Sequence, residues 1–330
     1  MSRRSLAGVL VAVALAVVAA PASARTHPSG CGPGVKRVSS DKRGVPVLLV
    51  HGFAGAPSDF RRRLDDDRPS MLRAIRDLEG VAAYTFDYSG RSLEWVADPG
   101  IGPALGRAIV CIAKRQDAPV TVVAHSMGGL ATREAQGGTV DGAPVADSLA
   151  RVVTVGTPFD GAQLLGFADG TAGDVLSSVI RAALRACDVD LSGRPDRSFC
   201  GLLGVTETQA VQAMIPGSDD LEALPPWAEG LSILPTAAEI EVGIDGPFGF
   251  SEKFAIGDFA VSVESATADA SPGARRFVAS CHASLLGVVD AIDDSPCSHA
   301  NELANRRIVE HVHDVVARAT ARDRRLSSER

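Results

Sequence analysis

One stretch constrains the fold of this chain more than any other: Val120-Thr-Val-Val-Ala124-His125-Ser126-Met127-Gly128-Gly129-Leu130. An unbroken apolar run ends in a serine set among small residues, and a helical pattern starts directly behind it. A continuous rather than alternating apolar run marks a strand covered on both faces. A helix that follows such a strand without a linker needs a sharp turn, and small neighbours make that turn possible. The spacing is G-x-S-x-G with Ala124 in the first position. Gly128 and Gly129 let the helix begin close to the strand, so its free N–H groups face the serine. Chemically, Ser126 is a candidate nucleophile. Structurally, a serine there is also an ordinary helix cap.

The rest of the chain repeats the alternation. The runs from Val45 to Val50, Ala82 to Phe86 and Arg151 to Val155 read as further buried strands, and Arg275 to Ser280 as a last one. Between them, Leu105, Ala108, Ile109 and Ile112 fall at helical spacing, and Ile308, Val309, Val312, Val315, Val316 and Ala319 form one apolar stripe near the end. The class is therefore α/β, with a mostly parallel, doubly wound sheet and helices on both faces. His311 and His313 lie on the terminal helix and read as its solvated face. The stretch 160–235 is rich in Gly, Asp and Ala and holds an amphipathic segment, Val175 to Leu184. It reads as a cap inserted over the carboxyl edge of the sheet, the alternative being ordinary connecting helices.

A chain of 330 residues, 45% hydrophobic, has ample material for one large core and is not disordered. Its formal charge of −7, with no basic block, leaves no electrostatic footprint for nucleic acid. Residues 1–24 read as a signal peptide: Arg3 and Arg4, an apolar run from Leu6 to Ala20, then Ala22-Ser23-Ala24 as a cleavage site. A membrane anchor is the alternative, but the run is short and ends in Pro21. The mature part, 25–330, is then a secreted, extracellular domain. Export gives the six cysteines a disulfide reading. Pairing neighbours in sequence gives Cys187 with Cys200 and Cys281 with Cys297, which leaves Cys31 with Cys111. No two cysteines stand at C-x-x-C spacing, so a metal site is not expected.

A second apolar strand ends in Val50-His51-Gly52-Phe53-Ala54-Gly55. The backbone N–H of Phe53 and that of Met127, just after the serine, are candidate oxyanion donors. Such donors are typically worth about 2.7–4 kcal/mol each in a transition state. His51 precedes the serine in the chain and reads as a loop-ordering residue rather than a base. Together, His51-Gly52-Phe53, Ala124-His125-Ser126-Met127-Gly128-Gly129 and Gly156-Thr157-Pro158-Phe159-Asp160-Gly161-Ala162 resemble the secreted lipase and esterase branch of the α/β-hydrolase fold, from about residue 45 to 320, with the cap unmatched.

The resemblance implies the order Ser, then Asp or Glu, then His. Gly257-Asp258 followed by small residues is similar to the family's acid loop, which makes Asp258 the candidate acid and Asp245 the runner-up. His299, followed by Asn301, Leu303, Asn305 and the terminal helix, stands where the family puts its histidine; His282 competes with it. The implied reaction is two-step acyl transfer to water from a carboxylic, lipid-like ester, with Ser126 as nucleophile, His299 as base and Asp258 as its orienting acid. No cofactor or metal is called for. The expected partner is a small-molecule or lipid ester, with transient contact with a lipid surface. An acyltransferase with the same triad, or a binding protein on the same scaffold, are the competing readings.

Overall fold

The computed structural model describes residues 30–39, 43–163, 208–245, 251–284 and 294–328. The proposed signal peptide, the Val175 to Leu184 stripe and the Cys187–Cys200 pair lie outside these residues. The strands are β1 (Val35–Arg37), β2 (Val45–Val50), β3 (Val81–Phe86), β4 (Val120–His125), β5 (Thr139–Val140), β6 (Ala143–Pro144), β7 (Leu149–Val155), β8 (Ser232–Asp245), β9 (Ser251–Ala255) and β10 (Phe277–Ser284). The helices are α1 (Met71–Arg76), α2 (Gly102–Gln116), α3 (Met127–Gln136), α4 (Gln209–Ala213), α5 (Asp219–Glu222), α6 (Val263–Thr267) and α7 (Arg306–Ser328).

The main sheet runs β1-β3-β2-β4-β7-β8-β10. Its strands are parallel except for β1 on β3 and β9, which pairs antiparallel with β8. Every residue of β2 and β3 is buried, as their continuous apolar runs require. Alternate residues feed two cores. Leu48, Val50, Val122 and Val152 pack with Leu105, Ile109 and Leu130 of α2 and α3. Val47, Leu49, Val123 and Val153 pack on the other face with Met71 and Ile75 of α1 and with Ile308 and Val312 of α7. Each such buried aliphatic side chain contributes about 1.5–3 kcal/mol.

Register brings the carboxyl ends of the central strands level. Val50 stands beside Ala124, His125 beside Val155, and Val155 beside Thr236. The loops that follow therefore meet in one crevice, the usual place for a site in an open parallel sheet. At the opposite end of the sheet, the β5–β6 hairpin turns through Asp141 and Gly142, both at positive φ, before β7 begins.

Two sequence expectations are corrected. The last strand runs from Phe277 to Ser284 rather than from Arg275 to Ser280, because the long partner β8 continues its ladder as far as Gly243, opposite Ser284. The extension alternates Cys281 and Ala283 with the polar Ser280, His282 and Ser284, which hides it from a search for continuous apolar runs. His311 is only half solvated: its ring stacks on Phe277 with centroids 4.1 Å apart.

Two disulfides, Cys31–Cys111 and Cys281–Cys297, are formed as expected. The first ties the segment before β1 to α2; the second ties β10 to the segment before α7. The described parts of 160–235 pack on the sheet's α3 side: Ala162 N–H donates to Met214 O at 2.8 Å, and Leu221 and Leu224 join the core beside Leu130. Among the described residues, no helix is long and apolar enough to cross a membrane.

Candidate active site

β4 delivers its last residue directly into α3 through Ser126, whose φ of 53° and ψ of −132° lie where a non-glycine residue rarely sits. Such a conformation costs about 1–3 kcal/mol and persists only where the surroundings dictate it. Here three bonds hold it. Ser126 N–H donates to Val155 O at 2.9 Å, and Ser126 O accepts Gly129 N–H at 2.9 Å and the Thr157 hydroxyl at 3.0 Å. Gly52 lies directly on the serine: a Cβ added there would stand 2.7 Å from Ser126 Cβ. The loop carrying Phe53 is thus pressed against the turn carrying Met127.

His51 shapes that loop. Its Nε2 accepts Tyr88 N–H at 3.1 Å, its carbonyl accepts the Tyr88 hydroxyl at 2.6 Å, and the two rings stack at 4.0 Å. Burial pushes the Tyr88 phenol up, so it stays a neutral donor. Met127 N–H is the first of α3, where no earlier turn supplies an acceptor.

The structure brings His299 and Asp258 to Ser126. His299 Nε2 stands 2.8 Å from Ser126 Oγ, and His299 Nδ1 stands 2.7 Å from Asp258 Oδ2. With Asp258 ionised, Nδ1 carries the proton and Nε2 accepts from the serine. Asp258 is 1% exposed. Its Oδ1 accepts the N–H groups of Ala260 at 2.9 Å and Val261 at 2.7 Å. Burial pushes its carboxyl up, but the adjacent His299, helped by the Glu302 side chain and the Val261 N–H, outweighs burial and holds it below the usual carboxylate range. Acid and base loops are also joined directly, since His299 N–H donates to Asp258 O at 2.9 Å.

The histidine loop is fastened from several sides. Arg62 donates to Ala300 O and to Asn301 Oδ1, both at 2.8 Å. Asn305 caps α7 through Arg307 N–H and Ile308 N–H. Cys297 bridges to β10 two residues before His299. The competing residues stand elsewhere. His282 is mostly exposed on β10 and pairs with Glu241 at 2.7 Å. Asp245 ends β8 opposite Ser251 in the hairpin to β9.

Two residues that sequence reasoning passed over complete the interior. His125 Nε2–H donates to His299 O at 3.2 Å, and its imidazole is pushed down to about 3 by burial and by neighbouring His299. Glu302 is wholly buried, with one oxygen 3.7 Å from His125 Nε2 and 4.0 Å from His299 Nδ1. The spacing His299-x-x-Glu302 is the only sequence signal that points to it. His125, His299 and Glu302 present ligand atoms within 4.8 Å of one another. Three of the nitrogens are already engaged, with Ser126, Asp258 and the His299 carbonyl, so a metal ion there would have to dismantle the relay.

A serine at a strand-to-helix turn, a buried acid after a late strand and a histidine before the terminal helix follow one another in chain order. Residues 47–317 match the alpha/beta hydrolase family. The chain belongs to that family. Among solved structures, this hydrolase is similar to the mature form of the Bacillus licheniformis lipase BlEst2. That likeness has 17% identity and a TM-score of 0.51, and covers 86% of this chain and 96% of the lipase. A putative aryl esterase from Burkholderia cenocepacia aligns at 15% identity and a TM-score of 0.45, over 87% of this chain and 94% of that one. No curated protein matches the sequence. At 17% identity the likeness to the lipase concerns the fold alone, and the chemistry of this hydrolase has to be argued from its own site.

Proposed function

We propose that this hydrolase is a secreted carboxylester hydrolase that works through an acyl-enzyme on Ser126. The observation that carries the reading is the unbroken relay from Ser126 Oγ through His299, at 2.8 and 2.7 Å, to the buried carboxylate of Asp258. His299 Nε2 takes the hydroxyl proton as Ser126 attacks the ester carbonyl, and Asp258 steadies the imidazolium that results. The alkoxide that develops is held by the N–H groups of Phe53 and Met127. His299 returns the proton to the leaving alcohol, then activates water to release the acid. Side chains and backbone carry every step.

The similar Bacillus structure is that of a lipase, which supports an ester as substrate class. The apolar residues 6–20 and the two disulfides support export. The test is Ser126→Ala with a fluorophosphonate probe and a soluble short-chain ester. The variant is expected to fold, to lose labelling, and to lose hydrolysis by about 10⁴-fold or more. Activity within about tenfold of the wild type would defeat the assignment.

A further inference from the structure

Glu302 has no evident place in the acyl-transfer steps, yet it is fully buried beside them. Among the described residues neither of its oxygens has a partner of good hydrogen-bond geometry, and the backbone at Ala238 is the one donor that approaches it. An ionised carboxylate so placed would be a desolvated charge with little more than one backbone donor, next to the Asp258 carboxylate. Among the described residues no cation stands by to balance it. His125, 3.7 Å away, is kept neutral by burial, and His299 directs its Nδ1 proton at Asp258. Nor can the side chain turn outward. Glu302 Oε2 occupies the space that a side chain at position 156 would need, and Gly156 leaves it open at a φ of 57°.

We infer that Glu302 is a neutral carboxylic acid that donates its proton to the Asp258 carboxylate, and that it is thereby a positioning residue for the Asp258–His299 pair. This rests on the proposed roles of Ser126, His299 and Asp258. Asp258 Oδ1 is held by two backbone donors, and a proton from Glu302 adds a third hold on the carboxylate that faces His299. Burial first, and the charge of Asp258 second, push the Glu302 carboxyl well above the usual range, in keeping with this state. Among the described residues, the titratable groups facing it are Asp258 from the acid loop, His299 from its own loop and His125 from the end of β4; Gly156 after β7 faces it with backbone alone, and β8 at Ala238 with a backbone donor that favours the charged form but is outweighed.

The test compares Glu302→Gln with Glu302→Leu. Glutamine keeps the shape and a donor without a titratable proton. It is expected to hold kcat/KM within about threefold and to leave the acid limb of its pH profile within about 0.3 pH unit of the wild type. Leucine keeps the volume but removes the donor. It is expected to lower kcat by about tenfold or more, with KM within about twofold. Infrared spectra in D₂O at neutral pH should show a protonated carboxylic acid in the wild type that is missing from Glu302→Gln. If the acid limb of Glu302→Gln moved down by about one pH unit or more, Glu302 would have been a charge beside the imidazole, and the inference would fail. It would fail equally if the infrared spectra were the same. Should Glu302→Leu not fold, the glutamine and infrared arms still decide. The infrared result does not depend on catalysis, so it separates failure here from failure of the Ser126 assignment, which phosphonate labelling tests.

Discussion

The choice between His299 and His282 as the base turns on what each side chain touches. His299 lies between Ser126 and Asp258 at hydrogen-bond distance from both, whereas His282 pairs with Glu241 on the exposed side of β10. His299→Ala should therefore reduce kcat/KM by about 10³–10⁴-fold, and His282→Ala should leave it within about threefold. Steady-state kinetics on one soluble ester checks both, and the reverse ranking would move the base to β10. At this scale the sequence was legible in proportion to how local the signal was. Ser126 announces itself because strand, turn and helix are contiguous. Asp258 and His299 needed family resemblance, since 41 residues separate them and only tertiary packing brings them together. Glu302 left only its spacing behind His299 as a signal, because a buried acid is otherwise recognisable only by the neighbours that bury it.

Among elements, the loop before α7 depends most on its fastenings. The Cys281–Cys297 bridge closes a short loop, with a separation of 16 residues, and so restricts the unfolded chain by about 3 kcal/mol at most. Its position matters more than its size, because Cys297 is wholly buried two residues before His299. Replacing both cysteines with serine is expected to lower the urea midpoint and to reduce kcat several-fold more than it changes KM. An unchanged kcat would show that Arg62 and Asn305 hold the loop without the bridge. The long strand β8 shows why sequence patterning can miss an element. Pro235 interrupts it, and Glu239 and Glu241 alternate with the buried Ala238, Ile240 and Val242, so no continuous apolar run appears. Its pairing with β10 nonetheless sets where the acid and base loops begin.

For the molecule as a whole, the buried groups of the site couple stability to pH. The His125 imidazole falls from its ordinary 6.5 to about 3 on folding. Between those values the unfolded chain binds a proton that the folded one does not, so stability falls as pH falls, by at most about 1.4 kcal/mol per pH unit. Asp258, held below the usual carboxylate range, acts with the same sign at lower pH. Glu302, held above that range, acts oppositely: its contribution is complete in acid and is lost as pH rises through its folded value. Urea unfolding across pH 6.5 to about 3 should show a shallower acid loss in His125→Gln than in the wild type, by close to one proton; parallel curves would exclude the effect. The same parallel register that gathers Ser126, Asp258 and His299 at the carboxyl ends of the strands gives the molecule a silent pole. The hairpin tip at Asp141 and Gly142, exposed at the amino ends, shares no contact with the reacting groups. A molecule tethered to a surface through that tip keeps its crevice turned toward the solution, so the asymmetry of a parallel sheet doubles as a built-in orientation for immobilising the enzyme.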